Sequence, residues 1–98
     1  MKIYLLEQDV NTGYDTYDSC IVCAKDENDA RQIHPYKDLV THAKDGKWWG
    51  TNKMGQEYLC GNDVWCSYKD IDKISVTLIG TADKSQKRGV ILASFNAG

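Results

Sequence analysis

No apolar run in this chain approaches the roughly 20 residues that a bilayer-spanning helix needs, so the expectation is a chain with no membrane contact. Basic residues are not in excess either. Lys and Arg number 12 against 14 Asp and Glu, for a formal net charge of −2. A general nucleic-acid binder needs a basic face to release counterions, so this balance disfavours nucleic acid and leaves room only for a local basic patch. Histidine is scarce, with His34 and His42 the only two. There is no nucleophile elbow, phosphate loop or paired-histidine metal motif. No catalytic residue, metal ligand or cofactor is therefore assigned. Internal repeats and low-complexity segments are absent too. The opening MKIYLLEQD has too short an apolar run for a secretion signal, and Glu7 and Asp9 follow at once. The expectation is a cytoplasmic protein.

What is present fits one small domain. The 98 residues suffice for one and not for two. Hydrophobic residues at 42% and charged residues at 27% sit in the globular range and argue against disorder. Four cysteines stand at positions 20, 23, 60 and 66. Cys20 and Cys23 have ligand spacing but fall inside SCIVCAK, which reads as a strand. Side chains three apart on a strand point to opposite faces. A zinc knuckle wants a tight turn there, and no glycine is present to make one. The four read as buried free thiols, small hydrophobes in effect.

The segments KIYLLEQ (2–8) and DSCIVCAK (18–25) read as two central strands, apolar on both faces, paired as an antiparallel hairpin with a long loop. Asn11 and Gly13 supply the turn. Next, Asp26 is a good helix N-cap, and Asp29 sits where a capping box places Glu or Gln. Pro35 stops this short helix, whose buried face is Ala30 and Ile33. Lys44-Asp45-Gly46-Lys47 reads as a turn. Gly50, Gly55 and Gly61 break up the rest of 36–64, where short strands near 39–42 and 56–60 and much irregular chain are expected. Ser67 is placed to cap a single helical turn over 67–71. KISVTLIGTA (73–82) and GVILASFNAG (89–98) read as the last two strands, around a charged turn DKSQKR. The order β-β-α-irregular-β-β predicts an α+β fold: a mostly antiparallel β-sheet with one short α-helix packed on it.

Two stretches carry a resemblance. One joins NTGYDTYDS (11–19) to a helix ending in His34-Pro35. The other runs from WCSYKDIDKISVTLIGTA (65–82) to the SFNAG ending (94–98). Both resemble a group of small proteins of phages and prophages. Residues 36–64 match that group poorly and look like a variable, irregular insertion. The resemblance implies a phage-type origin and a shared fold; it supplies no catalytic residue.

Several residues invite a functional reading. Asp9, Asn11, Gly13 and Asp15 have the look of a calcium loop. An EF-hand needs glycine at the sixth place and glutamate at the twelfth, and here those hold Tyr14 and Cys20. The bland alternative is an Asx-type turn, with the tyrosines packed over the sheet edge. Chain reversal needs only Asn11 and Gly13, however. Tyr14, Asp15, Tyr17 and Asp18 exceed that need, and tyrosine beside aspartate is a mix found at binding surfaces. Of the adjacent pair Trp48 and Trp49, only one can face the core of an extended segment, and the other is a candidate contact. Lys44, Lys47 and Lys53 nearby would suit a nucleotide, against the overall charge. Trp65 and Phe95 read as core, His34 as a cap or packed residue, and Asn96 as a turn cap. Lys84, Lys87 and Arg88 read as a solvated hairpin tip. They would instead meet an anion, or the aspartates of the opening loop, should the fold bring them there.

The expected function is a phage-type accessory protein that binds without catalysis, its partner a host protein or a small anionic ligand. By analogy, counter-defence is the expected role. A metal- or thiol-dependent enzyme is one alternative. The other is a virion or interaction module, in which exposed strand edges would pair into a homo-oligomer.

Overall fold

The computed structural model describes residues 1–60 and 64–96. Gly61 and the last two residues of the SFNAG ending therefore lie outside the described residues. The elements in chain order are β1 (Lys2–Glu7), β2 (Thr16–Ala24), α1 (Glu27–Arg31), β3 (His42–Lys44), β4 (Lys47–Thr51), β5 (Glu57–Leu59), a 3₁₀ helix (Tyr68–Lys73), β6 (Ser75–Thr81) and β7 (Gly89–Asn96). The fold is α+β: an antiparallel sheet in the order β6-β1-β2-β7, a short helix against it, and a second antiparallel sheet in the order β3-β4-β5.

The hairpin of β1 and β2 forms the middle of the larger sheet. Its register sets Tyr4 opposite Val22 and Leu6 opposite Cys20, so period-2 alternation sends all four to one face. Those four are buried, with Ala24, and they share one core with Ala30 of α1 and Ile33 just after it. The opposite face carries Leu5, Ile21 and Leu92 in one cross-strand row. It is much less covered, and Leu92 is 64% exposed. Apolar residues on both faces thus mark strands central in the sheet without both faces being interred.

Asp26 caps α1 as expected: its carboxylate accepts from the Asp29 amide at 2.7 Å. Asp29 reaches back, but to the Lys25 amide at 3.1 Å, one residue before a capping-box contact. Ser67 stands at the N-cap of the 3₁₀ helix, yet its hydroxyl donates to the Asp70 carboxylate at 3.1 Å and caps no backbone group. The single turn expected there is a six-residue 3₁₀ helix.

The largest departure from expectation is at 36–64. This segment holds a three-stranded sheet in place of mostly irregular chain. Strand β5 lies within the expected 56–60, β3 begins only at the last residue of the expected 39–42, and β4, which carries both adjacent tryptophans, is unforeseen. Asp45 (φ 54°) and Gly46 (φ 72°) make the two-residue left-handed turn that joins β3 to β4 with the twist hairpins favour. Gly50 permits β5 to close on the Leu39 segment. A Cβ at Gly50 would overlap the Leu39 carbonyl oxygen and the Tyr58 ring, whose hydroxyl donates to that same oxygen at 2.7 Å. The small sheet is not a separate unit, because Trp48 drops from β4 into the common core beside Trp65, Cys66 and Ile74. Its indole Nε1 donates to the Cys66 carbonyl at 3.1 Å. Its ring meets the edges of His34 and Tyr68 at 5.1 and 5.3 Å. No helix among the described residues is long and apolar enough to cross a membrane.

Candidate functional site

The opening loop leaves β1 at Gln8, and that side chain organises it. Gln8 is buried, and its Oε1 accepts from the amides of Val10 (3.0 Å) and Asn11 (2.8 Å). Its Nε2 donates to the carbonyls of Asn11 and Tyr17, both at 2.8 Å. One amide therefore satisfies four backbone groups that a loop would otherwise leave to water. Further ties come from distant chain. Asn11 Nδ2 donates to the Trp65 carbonyl at 3.0 Å, and the Tyr17 amide to the Val64 carbonyl at 2.8 Å. Asn96, at the end of β7, donates from Nδ2 to the Gly13 carbonyl at 2.9 Å. Its own carbonyl accepts from the Asp15 amide at 2.6 Å. Thr16 Oγ1 adds a bond to the Gly13 carbonyl at 2.9 Å.

At the tip of this tied loop Tyr14 is 80% exposed. Asp15 beside it has φ of 62°, a left-handed conformation that aspartate tolerates better than most residues. Asp18 is exposed where the pairing of β2 with β7 slips between Tyr17 and Ser19. Tyr17 is half-buried, edge-on to Phe95 at 4.9 Å and tilted against Tyr36 at 6.2 Å. Partial burial, then Tyr36 and Asp38, push its phenol above the ordinary value. Beside the loop lies an open cleft of about 480 Å³, whose charged lining residues are Glu7, Asp9, Asp18 and Lys73. Rigid aromatic and carboxylate groups thus share one end of the sheet.

The structure divides the other expected site residues. Asn11 ties the loop from within through its bond to the Trp65 carbonyl. Trp48 is 3% exposed and belongs to the core, which removes it from the contact surface. Trp49 is half-buried on the other face of β4. Its Nε1 donates to the Lys44 carbonyl at 2.9 Å, and the Lys44 ammonium sits 4.9 Å above its ring. Among the described residues nothing joins it to the Tyr14 loop. Arg88 stands at the far end of β7, as the register shows: Gly89 faces Cys23, and Asn96 faces Thr16. It pairs with Asp29 at 2.9 Å and does not meet the loop aspartates. Phe95, expected in the core, is 45% exposed because it lies at the open margin of the sheet. It extends the aromatic cluster to the surface.

Sequence reasoning missed Gln8, Tyr36 and Phe95 as parts of this site. Gln8 had a faint signal: an amide between a strand and an Asp/Asn turn is well placed to cap backbone groups. Tyr36 and Phe95 had none, since only strand register and the path after Pro35 set them beside Tyr17.

Three of the thiols are disfavoured as nucleophiles. Burial pushes Cys20 up to about 12. Burial, then Asp70, pushes Cys66 up to about 11. Burial raises Cys60 as well. Among the described residues, no group of three or more His, Cys, Asp or Glu side chains is placed to hold a metal ion. Searches of family models, curated proteins and solved structures found no match to this chain.

Proposed function

We propose that this chain is a binding protein that grips a protein partner through the Tyr14 loop. One observation carries the reading: a tyrosine 80% exposed at the tip of a loop held by the four hydrogen bonds of Gln8. Tyr14 lies outside the buried core, and a loop already ordered loses little entropy on binding. Tyrosine is a frequent anchor of interfaces. The carboxylates of Asp15, Asp18, Glu7 and Asp9 around it favour a partner surface that presents Arg or Lys. With the resemblance to phage and prophage proteins, the role we assign is that of an accessory protein that occupies a host factor, counter-defence being its purpose.

The test is affinity capture from host lysate with the parent chain, Tyr14→Ala and the double variant Asp15→Asn/Asp18→Asn, followed by titration of the purified captured protein. The loop variants are expected to lose the partner while keeping the parent's melting temperature. Equal capture by all three overturns the proposal.

A further inference from the structure

At the end of the larger sheet opposite the Tyr14 loop there is a second cleft, of about 370 Å³, a size at the small end of ligand pockets. Three stretches of chain make it: the exit of α1, the turn that follows Pro35, and the hairpin leading into β7. Its floor is apolar, formed by Ile33 and Val40, both buried, with Val90. Its charged lining residues are Lys37, Lys87 and Arg88, with no carboxylate among them. In a chain of net charge −2 this is a local reversal of sign.

Among the described residues four of the twelve basic side chains lean on acids: Arg31 on Glu27, Lys44 on Glu57, Lys73 on Asp70 and Arg88 on Asp29. Among the described residues neither Lys37 nor Lys87 makes an ion pair. Asp29 holds Arg88 by one edge only, through Nε at 2.9 Å. The other Asp29 oxygen is occupied by the Lys25 amide. The terminal Nη groups of Arg88 have no bond to the described residues, so the fork is positioned but not consumed. Solvated lysines occur on any surface. What sets Lys37 and Lys87 apart is the concave apolar floor they share with Arg88, which alone of the three has an acid against it, so the two lysine charges stay uncompensated when the cleft is empty.

We propose that this cleft binds a small phosphate monoester whose apolar or planar body lies on the Ile33, Val40 and Val90 floor. A dianionic phosphoryl group answers three cations better than a single carboxylate does, and the Arg88 fork matches its oxygens. The inference does not rest on the Tyr14 loop, which lies at the other end of the sheet.

The experiment is a titration of the ¹⁵N-labelled full chain with adenosine monophosphate, inorganic phosphate and adenosine, read by amide shifts. The monophosphate is expected to move the amides of 32–41 and 86–90 saturably, to leave 13–18 unmoved, and to bind more tightly than either fragment. Lys37→Glu/Lys87→Glu is expected to weaken it about tenfold or more, as for the loss of a charge-assisted contact, without a change in melting temperature. Lys53→Glu, on the remote β4–β5 turn, is expected to change nothing. No saturable shift at millimolar ligand overturns the site. Undiminished binding by the double variant, or adenosine binding as tightly as its phosphate, overturns the role of the cations. Inorganic phosphate binding as tightly overturns the role of the floor.

Discussion

Replacing Gln8 with Ala removes four hydrogen bonds at a stroke and leaves two amides and two carbonyls of the loop without their partner. A typical intramolecular hydrogen bond contributes about 0.5–1.5 kcal/mol net, which bounds the loss at about 2–6 kcal/mol. The loop is only partly buried, so water reaches some of the released groups, and the lower part of that range applies: about 2–3 kcal/mol. For a domain of this size each kcal/mol moves the melting temperature by about 4–8 °C. The expected fall is therefore about 10–20 °C, read by tryptophan fluorescence or calorimetry. Hydrogen exchange at Val10 and Asn11 is expected to quicken well beyond the global change, because those amides lose their acceptor directly. Gln8→Glu separates the two halves of the brace. It keeps the acceptor for Val10 and Asn11 but sets carboxylate oxygen against the Asn11 and Tyr17 carbonyls, so it too is expected to destabilise. A Gln8→Ala protein that melts within about 2 °C of the parent, with unchanged exchange at 10 and 11, refutes the claim that this side chain holds the loop.

Gly50→Ala is expected to cost about 1–3 kcal/mol, the range for overpacking, because the new methyl overlaps the Leu39 carbonyl and the Tyr58 ring. An unchanged urea midpoint speaks against that close approach. At pH 8, iodoacetamide is expected to reach Cys60 first in the native chain. With its thiol near 12, Cys20 is thiolate in only about one molecule in ten thousand. Prompt native labelling of Cys20 or Cys66 contradicts their burial. Hydrogen bonding from Lys44, then from His42, holds the Glu57 carboxyl below its ordinary 4.5. Its contribution is fully present above that value and lost as pH falls through the depressed one. Parent and Glu57→Gln should thus differ in stability at pH 6 and converge as pH falls below the depressed value; a constant difference removes the ion pair from the account.

The local features were legible in the residues because their causes are local. Runs of strand-forming residues between turn signals marked β1, β2, β6 and β7. Asp26 announced the start of α1, and Asp45-Gly46 the turn between β3 and β4. Adjacency alone required Trp48 and Trp49 to face opposite ways. What the chain could not reveal was anything decided by contact between distant segments. Short strands such as β3, β4 and β5 owe their existence to cross-strand pairing and to Trp48 seated in the core, and neither leaves a strong periodic mark. The braced loop needs Trp65, Val64 and Asn96 brought to residues 11–17 from far along the chain. The cleft of Lys37, Lys87 and Arg88 arises because the β2–β7 register sets the start of β7 beside the exit of α1. The same register carries Arg88 away from the loop aspartates. Composition and periodicity determine which segments can be strands and which face is apolar; only closure of the sheet determines which loops become neighbours, because that depends on register, a sum over many weak contacts that no single stretch encodes.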